Sequence, residues 1–254
     1  CLPLVRELHK QAMAIEGLQF EIVVAEDGSD DAETIERNAE ISGLTYCRHI
    51  VNKENVGRAV IRNRLVAQAN MPWLLFIDSD MRVVKPNFVE RYLQMPNECM
   101  VVYGGNTTHG GAWTDERLLR VRYEQAAERR FTARQRAKQL HHHITTSNLL
   151  VHKAVMQAVP FDNRFITYGY EDVFWGMSLA QNGIQVAHID NPMGFNYYDN
   201  NVAFVAKTIE ALYTLYAFSA ELAVISPIIR FERCLHHWHL DGLVCKILNR
   251  MMPM

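Results

Sequence analysis

Hydrophobic and polar positions follow two different periods in the first part of the chain. Leu4, Leu8, Ala12 and Ile15 recur at the spacing of one helix face, and similar segments follow. Between them lie short apolar runs that are typical of buried strands, and each run stops at a polar or acidic turn. The predicted helices span residues 4–15, 32–42 and 58–70, and the predicted strands span residues 20–25, 45–51 and 73–77.

This alternation of helices and strands predicts an α/β fold in which parallel strands are joined by helical crossovers. In open sheets of this kind, ligands bind beyond the carboxyl ends of the strands. Two acidic pairs stand at such ends: Glu26 and Asp27 after the first predicted strand, and Asp78 and Asp80 after the third. We therefore expect a functional site at this edge of the sheet.

The second half of the chain has a different pattern. Residues 115–139 form an arginine-rich stretch with interspersed glutamates, which favours a helix with a solvated face and leaves open an arginine that reaches a phosphate. Strands are predicted over residues 144–151 and 184–189, and a helix between them begins near residue 171. Helices are expected after about residue 200.

Residues 211–229 are strongly apolar, with Glu221 as the one charge and Pro227 near the end. The charge, the proline and the length favour a packed or interfacial helix over a membrane span. They leave open a peripheral contact with a membrane. Residues 1–205 are predicted to form the main domain, and residues 206–254 a helical C-terminal extension.

Composition narrows the classes of function. The chain has 254 residues and a formal net charge of −2, so it lacks the strongly basic balance of nucleic-acid binders, and no nucleic-acid partner is expected. The five cysteines are widely spaced and form no Cys-x-x-Cys pair, which argues against zinc and thioredoxin-like sites. Together with the lack of a recognisable signal peptide, they indicate a reducing, cytoplasmic location.

Asp78 and Asp80 flank one serine directly after an apolar strand. Alternate residues of an extended turn direct both carboxylates toward one site. Hard oxygen ligands suit Mg²⁺ or Mn²⁺, especially when a diphosphate supplies the other ligands. Such a metal would neutralise charge on a departing nucleoside diphosphate. Because Asp-x-Asp also occurs in ordinary turns, the motif gains weight only from its neighbours.

A further acidic pair, Glu171 and Asp172, opens the predicted helix of the second half. Acidic residues at this position can simply cap the helix, but Asp172 could also act as a general base toward an acceptor hydroxyl. Aromatic side chains flank the pair and could cover the apolar face of a sugar ring. The candidate acceptor contacts among them are Tyr168, Tyr170 and Trp175.

The order of these motifs resembles glycosyltransferase family 2, the inverting enzymes of GT-A fold. Residues 22–31 look like its hydrophobic strand followed by Asp-Asp-Gly-Ser, and residues 55–63 look like its Asn-x-Gly and Ala-Arg-Asn segment. Residues 78–80 match its Asp-x-Asp. Residues 146–150 resemble its acceptor-side half, and residues 168–172 resemble the Gly-x-Glu-Asp pattern that it shares with the C-terminal region of galactosyltransferases.

The resemblance implies a mixed, mostly parallel sheet with flanking helices. It also implies transfer of a hexose from a nucleotide sugar, with UDP as the nucleotide, to a glycan or lipid-linked acceptor, with inversion of the anomeric carbon. The expected setting is bacterial polysaccharide biosynthesis in the cytoplasm or peripherally at the inner face of the cytoplasmic membrane. Mn²⁺ or Mg²⁺ would be the cofactor. The resemblance assigns the catalytic role to Asp172, as base, beside Glu171. The residues that would contact the nucleotide sugar are Glu26, Asp27, Gly57, Arg58, Arg62 and Asp78. The metal would be held by Asp80, Asp78 and His188, and the residues that would contact the acceptor are Tyr168, Tyr170, Trp175 and Asn148.

The sequence departs from the family pattern at two points. The family begins with a strand that is central to the sheet, whereas this sequence begins in the helix that should follow it, so we expect a gap in the sheet. Similar bacterial members also carry a metal-binding histidine shortly after an Asp-Asn-Pro segment, where this sequence has Phe195 after residues 190–192. Phe195 cannot bind a metal. His188 is the nearby candidate, although a histidine that closes a strand is often structural.

Two other functions stay open on the sequence alone. Phe195 and the expected gap would also suit a degenerate module that binds a nucleotide sugar without transferring the sugar. A sugar nucleotidyltransferase uses a related α/β scaffold, but the start of the sequence has no glycine-rich phosphate loop with arginine or lysine.

Overall fold

The computed structural model describes residues 1–96, 98–244 and 246. Nine strands and eleven α-helices lie within these residues. The strands are β1 (Ile22–Asp27), β2 (Cys47–Asn52), β3 (Trp73–Phe76), β4 (Met81–Val83), β5 (Val101–Tyr103), β6 (Asn106–Thr107), β7 (Leu149–His152), β8 (Ala187–His188) and β9 (Met193–Phe195). The helices are α1 (Leu2–Met13), α2 (Ala32–Ala39), α3 (Arg58–Gln68), α4 (Phe88–Leu93), α5 (Leu118–Arg130), α6 (Ala133–Arg136), α7 (Lys153–Ala158), α8 (Glu171–Gln181), α9 (Asn201–Ala217), α10 (Ser219–Leu222) and α11 (Pro227–His237).

The early elements agree with the pattern of apolar positions to within a few residues. α1 has a proline in its first turn, where the missing backbone amide would be unpaired in any case. α2 follows Asp31, whose carboxylate accepts the amide of Thr34 at 3.0 Å and so caps the helix. The predicted helices and strands up to residue 77 are therefore confirmed.

The two long helical stretches of the second half are interrupted. The arginine-rich stretch divides into α5 and α6, because Thr132 caps a new helix by accepting the amide of Gln135. The apolar stretch over residues 211–229 divides among α9, α10 and α11, and Pro227 follows the capping side chain of Ser226 at the start of α11. In the part of the chain that the structure describes, no helix is both long and apolar enough to cross a membrane.

The arginine-rich stretch is also less solvated than its charge pattern predicts. Arg136 is only 7% exposed. Its guanidinium donates to the carbonyl of Ile189 at 3.0 Å and to that of Phe131 at 2.7 Å. The interpretation as a uniformly solvated face is therefore wrong for Arg136, because backbone carbonyls replace water as its hydrogen-bond partners.

The strands pair in three groups. β1 and β2 are parallel, with Ile22 opposite Cys47 and Asp27 opposite Asn52. Four strands follow the order β3-β7-β5-β8, in which β7 is antiparallel to both neighbours and β8 is parallel to β5. β9 lies between β4 and β6, antiparallel to the first and parallel to the second. This arrangement is a mixed α/β fold with flanking helices. The expectation of a mostly parallel sheet is wrong for the described strands, because three of their six pairs are antiparallel.

A cavity of 870 Å³ lies between β1 and β3. Its walls include Val23 of β1, Leu75 of β3, Leu8 of α1 and Leu65 of α3. Among the described strands, β1 pairs only with β2 and β3 only with β7, so each keeps one edge without a strand partner. The expected gap in the sheet is therefore present, and it lies between these two strands.

The largest hydrophobic core joins β5, β7 and α8. Trp175 of α8 is 1% exposed and packs on Phe161, with 5.2 Å between the ring centroids. The indole nitrogen donates to the carbonyl of Val159 at 2.8 Å. This packing fixes the helix whose first two residues are Glu171 and Asp172.

The described chain is helical after β9. α9 contacts α5, and Leu215, Leu222 and Ile229 form a small core against residues of α8. The predicted division after residue 205 falls inside α9. The division into a main domain and a C-terminal extension stays a prediction.

Candidate active site

The carboxyl end of β1 is joined closely to the loop before α3. The carboxylate of Asp27 accepts the amide of Val56 at 3.0 Å and the amide of Gly57 at 3.1 Å. Gly28 has φ +69°, and a Cβ at this position would lie 2.2 Å from the amide nitrogen of Asn55. Only glycine tolerates both this positive φ and this close approach of backbone, so the turn after β1 can lie directly against the loop before α3.

Glu26 is engaged within its own part of the sheet. Its Oε1 accepts the side-chain amide of Asn38 at 2.8 Å and lies 3.1 Å from Nε2 of His49. The side chain of Glu26 is 15% exposed. Its carboxylate therefore supports the β1–β2 edge, and this arrangement does not favour the predicted contact with a nucleotide sugar.

Arg62 of α3 lies at the centre of an ionic cluster. It is 7% exposed, and it donates to Glu171 Oε1 at 3.0 Å and to Asp78 Oδ1 at 3.3 Å. Oδ1 of Asp172 lies 3.5 Å from its Nη1. Burial lowers the pKa of Arg62, but the charges of these three acids outweigh burial and raise the pKa overall. The structure thus brings together four of the predicted site residues.

Arg58 extends the positive side of this cluster. Its Nη1 lies 3.8 Å from Oε1 of Glu171, and its guanidinium carbon lies 4.6 Å from the ring centroid of Tyr168. The ammonium nitrogen of Lys207 lies 5.9 Å from the same centroid. Cations over an aromatic face are attracted by the ring quadrupole, so Tyr168 holds two positive groups beside the acidic cluster.

Asp172 has one carboxylate oxygen with hydrogen-bond partners and one without. Oδ2 accepts the amide of Thr146 at 3.0 Å and its hydroxyl at 3.3 Å. Oδ1 is buried and has no hydrogen-bond partner among the described residues. Burial raises the pKa of Asp172 to about 7, with help from Glu171 and Asp78 and against the charge of Arg62. A carboxylate with these properties suits a general base.

A left-handed turn leads into α8. Gly169 has φ +99° and Tyr170 has φ +68°. A Cβ at Gly169 would lie 2.9 Å from the Cβ of Ala211, so α9 packs closely against this turn. Tyr170 is half-buried and packs with the core around Phe174, which gives its ring a structural role. Its predicted contact with an acceptor stays a prediction.

Asp78 and Asp80 line the cavity described above, at its acidic end. The surrounding protein desolvates Asp80 and, with the charge of Asp78, raises the pKa of Asp80, while Arg120 and Arg58 oppose the rise. Two carboxylates one residue apart fit Mg²⁺ or Mn²⁺ when a diphosphate and water supply the remaining oxygen ligands. Over the described ranges, no group of three or more His, Cys, Asp or Glu side chains could hold a metal by itself.

His188 does not join these two aspartates. Its Nε2 lies 2.8 Å from the carbonyl oxygen of Leu140, and its Nδ1 lies 3.3 Å from Nε of Arg136. Burial lowers the pKa of His188 to about 4, so the ring is neutral. Both ring nitrogens have protein partners, and the predicted role of His188 as a metal ligand is therefore wrong.

Trp175 and Asn148 are also used elsewhere. Trp175 lies in the core described above. Asn148 is fully buried, and its side-chain amide donates to the carbonyls of Gly105 at 2.7 Å and Asn191 at 2.8 Å. The predicted acceptor contacts at Trp175 and Asn148 are wrong, because neither side chain reaches a surface that an acceptor could touch.

Two residues near the cluster were not singled out as site residues by the sequence. Thr146 donates two hydrogen bonds to Asp172, although it stands in a segment that points to the acceptor side only by resemblance. Arg120 pairs with Glu124 at 2.7 Å, as their spacing of four residues on a helix predicts. That spacing does not reveal that the guanidinium lies near Asp80.

A family model described as Glycosyl transferase family 2 matches residues 2–159 of the chain. A search of curated proteins found no significant match.

Several solved structures share the fold. S. aureus TarS 1–349 in complex with UDP-GlcNAc has 16% identity and a TM-score of 0.56, over 79% of this chain and 55% of the TarS chain. Mannosyltransferase PcManGT from Pyrobaculum calidifontis, in complex with GDP-Man and Mn²⁺, has 14% identity and a TM-score of 0.61, over 99% and 73% of the two chains. Glucosyl-3-phosphoglycerate synthase from Mycobacterium tuberculosis, with Mn²⁺, UDP and glucosyl-3-phosphoglycerate, has 17% identity and a TM-score of 0.51, over 85% and 75%.

The chain spans just over half of the TarS chain that it matches. At these identities the likeness establishes the fold, and the expected GT-A-like fold class is confirmed.

Proposed function

Because this chain belongs to glycosyl transferase family 2, we propose that it transfers a hexose from a nucleoside diphosphate sugar to a hydroxyl of a glycan acceptor, with inversion of the anomeric carbon. The observation that carries the proposal is the carboxylate of Asp172, which lies beside Arg62 and Asp78. Its pKa is raised, and its Oδ1 accepts no hydrogen bond from the described residues. UDP is the proposed nucleotide. Two of the three solved neighbours hold UDP or a UDP-sugar, and the third holds GDP-Man.

The donor would lie along the edge formed by the ends of β1 and β3. Asp27 and Gly57 hold the loop at one end of this edge, and Asp78 stands at the other. Arg58 and Arg62 project from α3 toward the acids and offer positive charge to a diphosphate. Arginine suits this role because its planar guanidinium can donate two parallel hydrogen bonds to phosphate oxygens.

Asp80 and Asp78 would hold the divalent cation, Mn²⁺ or Mg²⁺, together with the donor diphosphate. The raised pKa of Asp80 reflects an unfavourable environment for negative charge, which a cation would relieve. When bound, the cation would supply positive charge at the leaving diphosphate.

In the proposed reaction, the acceptor hydroxyl oxygen attacks the anomeric carbon while the carboxylate of Asp172 takes the hydroxyl proton. The new carbon–oxygen bond forms as the bond to the diphosphate breaks, and the electron pair of that bond leaves with the diphosphate. Attack from the side opposite the leaving group inverts the anomeric centre. Arg62 holds Glu171 and Asp172 in one arrangement, and Thr146 fixes the second oxygen of the base.

The proposed acceptor is a glycan, free or lipid-linked, that binds beside Tyr168. Residues 211–229 expose Tyr213 at 73%, Tyr216 at 79% and Val224 at 77%. This apolar surface supports the proposal of a peripheral contact with the cytoplasmic face of a membrane that carries the acceptor.

The test is the transfer rate of Asp172→Asn, measured as nucleoside diphosphate released from a panel of UDP- and GDP-sugars with glycan acceptors and Mn²⁺. We expect the rate to fall by about two to four orders of magnitude while nucleotide binding persists, because the amide cannot accept the proton. Asp115→Asn changes an exposed aspartate outside the cluster and should leave the rate unchanged. Transfer by Asp172→Asn at the wild-type rate would show that another group is the base.

A second candidate function is nucleotide-sugar binding without transfer. Phe195 is 5% exposed and stands opposite Met81, the residue after Asp80, so β9 presents an apolar ring where a metal ligand would stand. A protein of this kind would bind UDP or GDP but release neither from any sugar donor. Release of nucleotide that depends on an acceptor would exclude this candidate.

A further inference from the structure

Arg120 of α5 is enclosed by aromatic side chains near the turn after β3. Its side chain is 19% exposed. The guanidinium carbon lies 5.7 Å from the ring centroid of Phe195 and 5.6 Å from that of Phe204. Attraction between the guanidinium and these rings fixes its position. The side chain of Arg120 is therefore already ordered, so it would lose less conformational entropy when it contacts a ligand.

Phe195 connects this guanidinium to Asp80. Phe195 pairs with Met81 across β4 and β9, and the amide of Asn196 donates to the carbonyl of Asp80 at 2.8 Å. The guanidinium of Arg120 therefore lies next to the strand residue that faces Met81, the residue directly after Asp80.

The ion pair with Glu124 does not use all of the hydrogen-bond donors of this guanidinium. A guanidinium has five N–H donors, and Glu124 Oε1 takes one nitrogen, Nη2, at 2.7 Å. Burial raises the pKa of Glu124, which means that the ionised carboxylate is less favoured there than in water. Arg122 and Arg129 lie on the exposed face of the same helix, whereas the side chains of Arg120 and Glu124 are largely buried.

We propose that Arg120 binds the donor diphosphate and supplies fixed positive charge beside Asp80, in addition to any metal. This inference rests on the proposed function and names a further residue of the same site. In the reaction written above, Arg120 donates N–H to the diphosphate oxygen that receives the electron pair of the broken bond, so no further reactant is needed. Part of the affinity for a nucleoside diphosphate then persists without a divalent cation.

The experiment is calorimetric titration of UDP, UMP and uridine, and of GDP, GMP and guanosine, into the protein, with Mn²⁺ and with EDTA. The variants are Arg120→Gln, Arg120→Lys and Arg122→Gln, an exposed arginine of the same helix. Arg120→Gln should weaken diphosphate binding about tenfold to a hundredfold, as expected for hydrogen bonds to a charged group, with nucleoside affinity within about twofold. The loss should be largest in EDTA. Arg120→Lys should recover part of the affinity, and Arg122→Gln should match the wild type.

Arg120→Gln leaves Glu124 without its partner, so the double variant Arg120→Gln/Glu124→Gln is included to remove both charges together. The same selective loss in the double variant supports diphosphate binding. Unchanged diphosphate affinity, or an equal loss for nucleoside and diphosphate, overturns the role of Arg120 while leaving the proposed function intact. If the wild type binds neither UDP nor GDP, the proposed function fails and this inference fails with it.

Discussion

The guanidinium of Arg62 is shared by three carboxylates, those of Asp78, Glu171 and Asp172. One buried positive charge cannot balance three negative ones, and Arg58 adds only a longer contact of 3.8 Å to Glu171. The site therefore favours binding a proton or a cation. Asp172 carries this excess, because its Oδ1 is the buried oxygen of the cluster that lacks a hydrogen bond among the described residues.

The pH dependence of kcat/KM follows from this charge balance. The pKa of Asp172 is raised to about 7, so the carboxyl is largely protonated below that pH and cannot accept a proton. Activity should rise with pH by about tenfold per unit below this pKa and level off above it. Asp172→Asn should remove this dependence from its residual activity. A wild-type profile that stays flat between pH 5.5 and 8.5, about the window in which such a base titrates, would contradict the role of Asp172 as base.

At the scale of elements, the turn after β1 and the loop before α3 meet at a glycine. Gly28 and Gly17 have similar positive φ angles, +69° and +74°, but a Cβ at Gly28 meets the backbone of Asn55 whereas a Cβ at Gly17 meets nothing within 4 Å. Comparing substitutions at the two glycines therefore separates the cost of a left-handed backbone from the cost of close packing. Because the amides of Val56 and Gly57 bind Asp27 next to this contact, a shift of the loop would disturb the proposed donor edge.

Gly28→Ala should therefore destabilise the protein more than Gly17→Ala. We expect Gly17→Ala to cost roughly 1–2 kcal/mol, from the left-handed backbone alone, and Gly28→Ala to cost about 3 kcal/mol or more, because overpacking adds to that strain. Unfolding in urea would measure both. Gly28→Ala should also weaken UDP binding, which Gly17→Ala should leave unchanged. Equal destabilisation by the two variants would mean that the loop before α3 moves aside at little cost.

The elements themselves were largely predictable, because the apolar periods of α1 to β3 reflect burial that depends on local sequence. Asp27, Asp78 and Asp172 could be singled out because acids at strand ends and helix starts stand out in an apolar context, and their roles stay predictions. Trp175 and His188 were misassigned because nearness to a motif along the chain does not reveal where a side chain points. Trp175 bonds to Val159 and His188 to Leu140, and neither contact has a local sequence signal.

At the scale of the whole molecule, the cavity between β1 and β3 is an open cleft with mixed walls. Its lining includes charged residues such as Asp78 and Arg62 as well as the apolar side chains of Val23 and Leu75. Wherever no other segment fills this space of 870 Å³, water enters it, because it is roomy and partly polar. The apolar side chains along it are then hydrated in the folded protein.

Hydrated walls have a consequence for the heat capacity. Unfolding raises the heat capacity because apolar surface becomes hydrated, by roughly 3–4 kcal/mol/K for a chain of this length. Surface that is already wet in the native state contributes nothing to this change, so the walls of the cleft reduce it by a small fraction. The curve of stability against temperature is flatter by the same small fraction, on the cold side as well as on the hot side.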